Sequence, residues 1–268
     1  PARAAILDNF CWGNVNDPKV LGALVRTAEA CRDVAVAFGT PFISGKDSLN
    51  NEFRHADASG NTKSISIPPS LLISALGQVD DVARCVTMDL KCAGNRLYLV
   101  GLTRHELGGS HWTLVENLSG GQVPVVDPLR AKTTFRTLHR AMQLSLVAAC
   151  HDLSEGGLAV ALAEMAIAGR LGAAVELTHV PHDFAAETPL AEVALLFSES
   201  NSRFLCEVPR QSAPAWEALF DDAGVPWGPL GTVVDSGRLI IGGLSSPAPL
   251  VDVALDDLKA AWLRPLDW

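Results

Sequence analysis

The chain has 268 residues, of which 48% are hydrophobic and 19% are charged, and this composition is typical of a globular protein. Its length allows one large domain or two ordinary domains with a sizeable core. A formal net charge of -9 argues against a general nucleic-acid or anionic-membrane surface, and no apolar run is long enough to span a membrane. Any phosphate-binding site must therefore be a local cluster of favourable groups.

The cysteine spacing favours a reducing compartment. No CxxC pair and no signal peptide are visible, so reduced thiols in a cytosol are the simplest interpretation. The six cysteines are Cys11, Cys31, Cys85, Cys92, Cys150 and Cys206. The chain also starts at Pro1 without a methionine and runs almost at once into strand-like sequence, which suggests a piece of a longer protein.

The first predicted elements are a strand and a long helix. Residues 4–7 are apolar and strand-like, and the polar stretch 8–14 that follows them fits either a site or an Asx turn. Asp17 and Pro18 are typical of a helix N-cap and first helical residue. Gly39 predicts the end of that helix.

The next stretch places a glycine, a cation, an anion and a hydroxyl side by side, as Gly45, Lys46, Asp47 and Ser48. A lysine beside a glycine suits a phosphate oxygen, because the glycine admits close backbone approach and the ammonium supplies charge. A carboxylate can hold a hard cation such as magnesium that shares phosphate oxygens. The spacing is not that of a P-loop. The alternative is a polar turn in which Asp47 and Asn50 bond local amides.

A polar loop is predicted over residues 53–64 and a buried strand over 70–79. A second unit is expected from about Asn95, with a strand over 97–102. Gly108 and Gly109 follow this strand, and they fit either an anion cradle of backbone amides or a plain turn.

In the middle of the chain, the sequence predicts a helix, then a strand that leads directly into a second helix. Asp127 with Pro128 begins a helix whose inward face is expected to include Phe135. A strand over 148–150 then leads to Asp152 and Ser154. Ser154 is predicted to cap the alanine-rich helix that continues to about residue 169, whereas capping does not explain Asp152, which stands where metal-binding carboxylates are common.

The remaining sequence alternates between helix and strand. Helices are predicted over 189–197, 212–223 and 251–263, a polar turn over 198–203, and strands over 204–208, 229–234 and 238–241. The seven histidines show no zinc-like spacing, which favours structural or surface roles for most of them, and His151 alone neighbours a candidate site.

Four motifs occur together in an order that resembles phosphoribosylformylglycinamidine synthase, the formylglycinamide ribonucleotide amidotransferase of purine synthesis. They are Gly45-Lys46-Asp47-Ser48, Leu107-Gly108-Gly109-Ser110, the stretch 151–157 and Phe197-Ser198-Glu199-Ser200. The resemblance is to the C-terminal half of the synthetase part, an aminoimidazole-ribonucleotide-synthetase-like module. It implies an α/β (α+β) fold, with residues 1–90 as the end of a strand-rich N-terminal subdomain, 91–248 as an α/β C-terminal subdomain and 249–268 as a helical tail.

The resemblance also implies roles for individual residues. Those expected to contact ATP are Asp8, Gly45, Lys46 and Ser154, and Ser48 is expected to contact the substrate. Lys46 stands where the short form of the family has a metal-binding asparagine, and because a protonated lysine cannot coordinate a metal, either Lys46 contacts phosphate directly or Asp47 takes the metal. Asp152 and Ser154 match long-form residues that hold magnesium and a nucleotide at an auxiliary site, so magnesium is expected between Asp47 and Asp152. Glu199-Ser200-Asn201 is similar to a substrate-binding triplet of the partner half, so its role here rests on pseudo-symmetry.

The implied reaction joins ammonia from glutamine to formylglycinamide ribonucleotide at the expense of ATP. The family's catalytic histidine has no match in this chain, so no catalytic residue is assigned to it. The expected partners are the N-terminal synthetase half and a glutaminase domain or subunit, in the cytoplasm, with a homodimer as another arrangement. This chain alone would then be an inactive fragment. The alternatives are another enzyme of the superfamily, such as an aminoimidazole ribonucleotide synthetase or a thiamine-phosphate kinase, and a non-catalytic scaffolding half.

Overall fold

The computed structural model of the protein describes residues 3–185 and 187–266. These residues divide into two compact units, one ending at Ala83 and the other beginning at Arg84. The mixture of helices and sheets confirms the predicted α/β (α+β) fold class. The subdomain bounds given by the resemblance stay predictions.

The first unit contains one long helix and five strands. Their bounds are β1 Ala4–Cys11, α1 Pro18–Phe38, β2 Phe42–Gly45, β3 Glu52–Ala56, β4 Thr62–Ser66 and β5 Ser70–Gly77. In the three-stranded sheet, β1 lies in the centre, parallel to β2 and antiparallel to β5. Local sequence sets the ends of α1 as predicted, since the Asp17 carboxylate accepts a hydrogen bond from the Lys19 amide and Gly39 adopts a left-handed conformation with φ 74°.

The loop predicted over 53–64 is wrong, because β3 and β4 form an antiparallel hairpin there. Its turn is closed by Asp57, whose carboxylate accepts hydrogen bonds from the amides of Ser59 and Asn61 at 2.9 Å. Both strands are almost entirely exposed and therefore lack the alternation of apolar and polar residues by which a half-buried strand is recognised.

The second unit is an α/β layer structure. Its strands are β6 Arg96–Val100, β7 Ala149–Asp152, β8 Gly172–Glu176, β9 Phe204–Val208, β10 Trp227–Val234, β11 Arg238–Gly242 and β12 Pro249–Ala254. Its helices are α2 His111–Val115, α3 Pro128–Gln143, α4 Gly157–Gly169, α5 Ala191–Phe197, α6 Ala213–Asp222 and α7 Leu255–Leu263. The strands form one sheet in the order β12-β11-β8-β10-β6-β9-β7. No helix of the described residues is both long and apolar enough to cross a membrane.

Two hydrophobic clusters cover the two faces of this sheet. Leu97 and Leu99 of β6 belong to a cluster with α4, α5 and the start of α7, whereas Tyr98 and Val100 belong to a cluster with α3 and α6. Because successive side chains of a strand point to opposite faces, the run 97–100 of β6 is apolar and buried on both sides, and only Arg96 at its start is exposed. The sheet is thus a rigid platform for the loops at its ends.

The helix predicted over 251–263 begins only at Leu255, because residues 249–254 form the edge strand β12. Val251 and Val253 pack against the core from this strand, and their spacing of two residues places them on one face of a strand, not of a helix. In α3 Leu138 is buried, but Phe135 is 39% exposed, so the inward prediction for Phe135 is wrong.

The first unit has little core of its own. Among its described residues the buried hydrophobic side chains are Phe10 and Trp12. On β5, Leu72 and Leu76 are 63% and 65% exposed, and Leu71 and Ile73 are also exposed, so both faces of this edge strand present apolar surface. An exposed apolar surface of this kind marks a contact with another chain or segment.

We therefore expect the isolated chain to self-associate or to bind an apolar dye. The double change Leu72→Ser with Leu76→Ser removes two exposed leucines and should reduce both association and dye binding, measured by sedimentation velocity and dye fluorescence. Val82→Ser is the control, because Val82 is 82% exposed but lies outside the sheet. A monomeric wild-type chain that binds no dye would contradict this expectation.

Candidate functional site

The predicted site residues of the first unit lie where β1 and β2 pair. Asp8 is directly opposite Gly45 in the register, and a Cβ atom at position 45 would lie 1.7 Å from Oδ1 of Asp8. A side chain at position 45 would therefore require the Asp8 carboxylate to move, whereas glycine accommodates the carboxylate where it is. The structure brings these two predicted residues into contact.

Lys46, Asp47 and Ser48 continue alongside β1 beyond the end of β2. The amides of Lys46 and Ser48 donate to the carbonyl oxygens of Asp8 and Phe10 at 3.0 and 2.7 Å. The Lys46 ammonium donates to the Ser48 hydroxyl, whereas Oδ1 of Asp47 accepts a long bond of 3.4 Å from the Phe10 amide. Asp47 thus accepts from the neighbouring strand, whereas the turn alternative required a local amide, and Lys46 and Ser48 form a separate polar pair.

The predicted residues of the second unit lie at the end of β7. Asp152 is the last residue of that strand, and the Ser154 hydroxyl donates to its Oδ2 atom. The predicted capping of α4 by Ser154 is wrong, because the N-cap is Gly156, which has φ 79° and supplies no side chain. Ser154 instead hydrogen-bonds the nearby carboxylate, and the first turn of α4 has no side-chain cap.

Glycine is required at the start of α4 for two reasons. Gly157 has φ 62°, and a Cβ atom there would lie 2.5 Å from the carbonyl oxygen of Ser198 and 2.8 Å from that of Leu196. The helix thus begins in close contact with the end of α5. The double glycine after β6 also packs closely, since the Gly108 amide donates to the Gln122 carbonyl at 2.8 Å.

Glu199 joins the beginnings of two helices. Its Oε1 atom accepts hydrogen bonds of 2.9 Å from the backbone amides of Gly156 and His111, at the starts of α4 and α2. The same oxygen lies 3.5 Å from Nδ1 of His111. The sequence predicted a substrate contact for Glu199 only by pseudo-symmetry. Its hydrogen bonds to the starts of two helices were not predicted, because the three segments are far apart in the chain.

Arg203 is the fully buried cation beneath these loops. It is 1% exposed, and its Nε and Nη1 atoms donate to the Ser200 carbonyl at 2.9 Å and the Thr103 hydroxyl at 3.0 Å, while Nη2 donates to the Ser198 carbonyl. Burial lowers the pKa of Arg203 to about 10, although the negative charges of Glu106 and Glu199 act to raise it. The group stays charged at neutral pH and fixes the turn over residues 198–203.

Glu106 supplies a second buried charge next to this turn. It is 3% exposed, and its Oε1 atom accepts a 3.0 Å bond from the Val125 amide and lies 4.0 Å from a guanidinium nitrogen of Arg104. Its Oε2 atom has no hydrogen-bond partner among the described residues. The carboxylate therefore acts mainly as a counter-charge for the neighbouring arginines.

A groove of about 440 Å³ contains the predicted site residues of this unit. The polar residues that line it include Asp152, Ser154, Glu155, Glu199 and Asn201. The structure thus unites two predicted ATP- and metal-binding residues with two members of the predicted substrate triplet. This volume falls within the range of roughly 300–1,000 Å³ that is typical of small-molecule sites.

The Asp152 carboxylate is held in its ionised form. The hydrogen bond from Ser154 is the largest cause of its lowered pKa, and its own backbone amide and the neighbouring His151 act in the same direction. His151 is oriented by Glu164, whose carboxylate lies 2.8 Å from Nε2, and its Nδ1 atom lies 3.4 Å from Asp152. Within residues 3–185 and 187–266, no group of three or more His, Cys, Asp or Glu side chains is arranged to hold a metal.

The buried guanidinium gives a stability prediction. Arg203→Met leaves three buried acceptors without a donor, and we expect the free energy of unfolding to fall by about 3 kcal/mol. The measurement is urea denaturation followed by circular dichroism. Arg104→Met is the matched control, because the side chain of Arg104 is 31% exposed and its ion pairs contribute about 0–1 kcal/mol. Equal losses for the two variants would contradict the central role of Arg203.

The lowered pKa of Asp152 gives a pH prediction. A carboxylate with a depressed pKa stabilises the folded state above its unfolded pKa of about 3.9, and this contribution is lost as the pH falls through the folded pKa. Ser154→Ala removes the largest cause, so the Asp152 pKa should rise toward the ordinary value. Carboxyl-carbon NMR titration measures it, and an unchanged titration midpoint would show that the hydroxyl does not stabilise the charge.

Comparison with known proteins identifies a family domain that lies within the second unit. Residues 93–243 match the family described as AIR synthase related protein, C-terminal domain. Phosphoribosylformylglycinamidine synthase subunit PurL from Deinococcus radiodurans is 36% identical over 98% of this chain and 34% of its own length. The same subunit from Thermococcus sibiricus is 35% identical over 82% of this chain and 29% of its own length. The chain therefore spans about a third of the length of these relatives.

Solved structures show the same fold. The complex of Thermotoga maritima PurL with FGAR matches 95% of this chain and 39% of its own chain with a TM-score of 0.69 and 19% identity. The complex of that protein with ATP matches with a TM-score of 0.67 and 18% identity over 95% and 37% of the two chains. Since the family model covers more than half of the sequence, the chain belongs to the AIR synthase-related family and contains its C-terminal domain.

Proposed function

We propose that this chain is part of an ATP-dependent ligase of de novo purine biosynthesis that converts formylglycinamide ribonucleotide, ATP and glutamine-derived ammonia to formylglycinamidine ribonucleotide. Support comes from the PurL subunits that are 35–36% identical to it and from the four motifs that occur in the family's order. The T. maritima relative was solved with ATP and with FGAR, two of the three reactants of this reaction.

Within this reaction, the chain's own contribution is to bind magnesium and the phosphates of a nucleotide. The observation that carries this proposal is the gathering of Asp152, Ser154, Glu199 and Asn201 in one groove beside the start of α4. The N-terminus of a helix attracts anions through its unpaired amides and its dipole. The N-cap residue of α4 supplies no side-chain cap, and the Glu199 carboxylate accepts from the Gly156 amide, so a bound phosphate would share this helix start with Glu199.

The charges that line the groove favour a metal-bound phosphate over a bare one. Three carboxylates line it, those of Asp152, Glu155 and Glu199. Arg203 also lines the groove, but its donors already bind two carbonyl oxygens and a hydroxyl. A bare phosphate would be repelled, whereas magnesium prefers carboxylate and phosphate oxygens and neutralises both.

The donor set fits magnesium at one position. The ionised Asp152 is a hard oxygen ligand, and the Ser154 hydroxyl beside it can contact a phosphate oxygen. When bound, the metal would offset the charge of the phosphates. Fewer than three protein ligands is usual for magnesium, which keeps waters and shares phosphate oxygens.

The first unit is proposed to supply further contacts. Asp8, Gly45 and Lys46 would contact ATP, and Ser48 the substrate, with Asp47 as a second metal carboxylate. The contact between Asp8 and Gly45 and the exposure of Lys46 support a ligand site at the end of β2. The Lys46 ammonium would exchange its Ser48 hydroxyl partner for a phosphate oxygen. An N-terminal synthetase half and a glutaminase domain or subunit are the proposed partners.

The proposal is tested by Asp152→Asn, which removes the charge and keeps the size. We expect magnesium-dependent ADP binding, measured by calorimetry, to weaken by at least about tenfold. Losing a metal ligand should cost at least as much affinity as losing a residue that hydrogen-bonds to a ligand. ADP should bind the wild-type protein more tightly with magnesium than without it. Asp222→Asn is the matched control, since it removes an exposed carboxylate at the end of α6.

The outcomes separate the alternatives. Unchanged ADP binding by Asp152→Asn would refute the metal role of this carboxylate. Asp152 would then be only a residue of the connection between β7 and α4. No ADP binding by the wild-type protein, with or without magnesium, would instead favour a half that only scaffolds its partner.

A further inference from the structure

The groove that contains Asp152 also has an aromatic wall. Phe204 is directly opposite Asp152 in the antiparallel pairing of β7 and β9, so both side chains stand on the same face of the sheet. Phe135 reaches the same groove from α3 and meets Phe204 edge to face, with ring centroids 5.5 Å apart and an interplanar angle of 80°. Pro124 adds further apolar surface to this wall.

The position of Phe135 is unusual for a large aromatic side chain on a helix that packs against a core. It is 39% exposed, although Thr134 and Leu138, which flank it on the helix surface, are buried. The helix is fixed by the cap of Asp127, which accepts from the Leu129 and Arg130 amides at 3.1 Å. Phe135 is therefore held in place by a rigid element and presents aromatic surface to the groove.

The lining of the groove combines two kinds of surface. It presents the carboxylates of Asp152, Glu155 and Glu199 together with the rings of Phe135 and Phe204. A free metal ion or a phosphate would interact only with the carboxylates, and an apolar ligand only with the rings. A nucleotide with its metal matches both, because its phosphates carry the cation and its base has an aromatic face.

We propose that the base of the bound nucleotide stacks on Phe135, with Phe204 supporting the ring from its edge. This inference rests on the proposed nucleotide function of the groove and adds the residue that recognises the base. Stacking is available to every base, since each has a π-face, so Phe135 supplies affinity for a nucleobase and little choice among bases. The Asn201 amide, which also lines the groove, has both a donor and an acceptor with which to distinguish base edges.

The experiment compares a ligand that has a base with one that has none. Affinities of ADP and of inorganic tripolyphosphate, both with magnesium, are measured by calorimetry for the wild type and for Phe135→Ala. We expect ADP to bind Phe135→Ala about tenfold more weakly, because alanine removes the stacking surface, and tripolyphosphate to bind as before. Phe135→Trp keeps a stacking surface and should retain ADP binding.

Leu129→Ala controls for the general effect of trimming α3, because Leu129 lies on the same helix and is 70% exposed. Thermal unfolding of each variant shows whether the helix is intact. An unchanged ADP affinity of Phe135→Ala, or an equal loss for ADP and tripolyphosphate, would overturn the stacking role while leaving the phosphate site in place. If neither ligand binds the wild-type protein, the proposed nucleotide function fails and the stacking role falls with it.

Discussion

The groove of the second unit depends on one buried guanidinium. Arg203 donates to the carbonyls of Ser198 and Ser200 and to the hydroxyl of Thr103, and so ties the turn after α5 to the segment after β6. Burying a charge is costly unless its donors are satisfied and an opposite charge is near. Here each of the three guanidinium nitrogens has an acceptor, and Glu106 and Glu199 supply the opposite charge. The turn therefore has one stable arrangement.

The fixed turn also determines the positions of the starts of two helices. Because Arg203 fixes the carbonyls on both sides of Glu199, the Glu199 carboxylate is directed to the amides of Gly156 and His111. Gly157 then packs against the Ser198 carbonyl, where no side chain would fit. The orientation of α4, and with it the direction of its N-terminal dipole, follows from polar contacts that begin at the arginine.

Features set by neighbouring residues were predictable from sequence. Asp17 with Pro18, and Asp127 with Pro128, begin helices as expected, because the capping carboxylate and the amides it accepts from are two or three residues apart. Ser154 was misassigned because its hydroxyl had a choice between helix amides and the Asp152 carboxylate, and the charged acceptor forms the stronger bond. Local propensity does not decide between two such partners.

Features set by distant residues were not predictable. Arg203 was visible only as part of a polar turn, since Thr103, to which it donates, is 100 positions away. The hairpin of β3 and β4 was missed because its exposed strands carry no apolar alternation. The motifs of the candidate site were nevertheless identified, because Asp152, Ser154 and Glu199 lie in short stretches that resemble one family, although the contacts among them required the fold.

The two units place their apolar residues differently, and this difference determines what holds the candidate site residues of each unit in place. The second unit buries two clusters on the faces of a seven-stranded sheet, whereas the buried hydrophobic residues described in the first are Phe10 and Trp12. A unit with so little core gains stability mainly from whatever covers its exposed strands. Asp8, Gly45 and Lys46 lie on that unit, so their geometry depends on the covering surface. The groove of the second unit has no such dependence, because Arg203 and the sheet beneath it hold its walls in place.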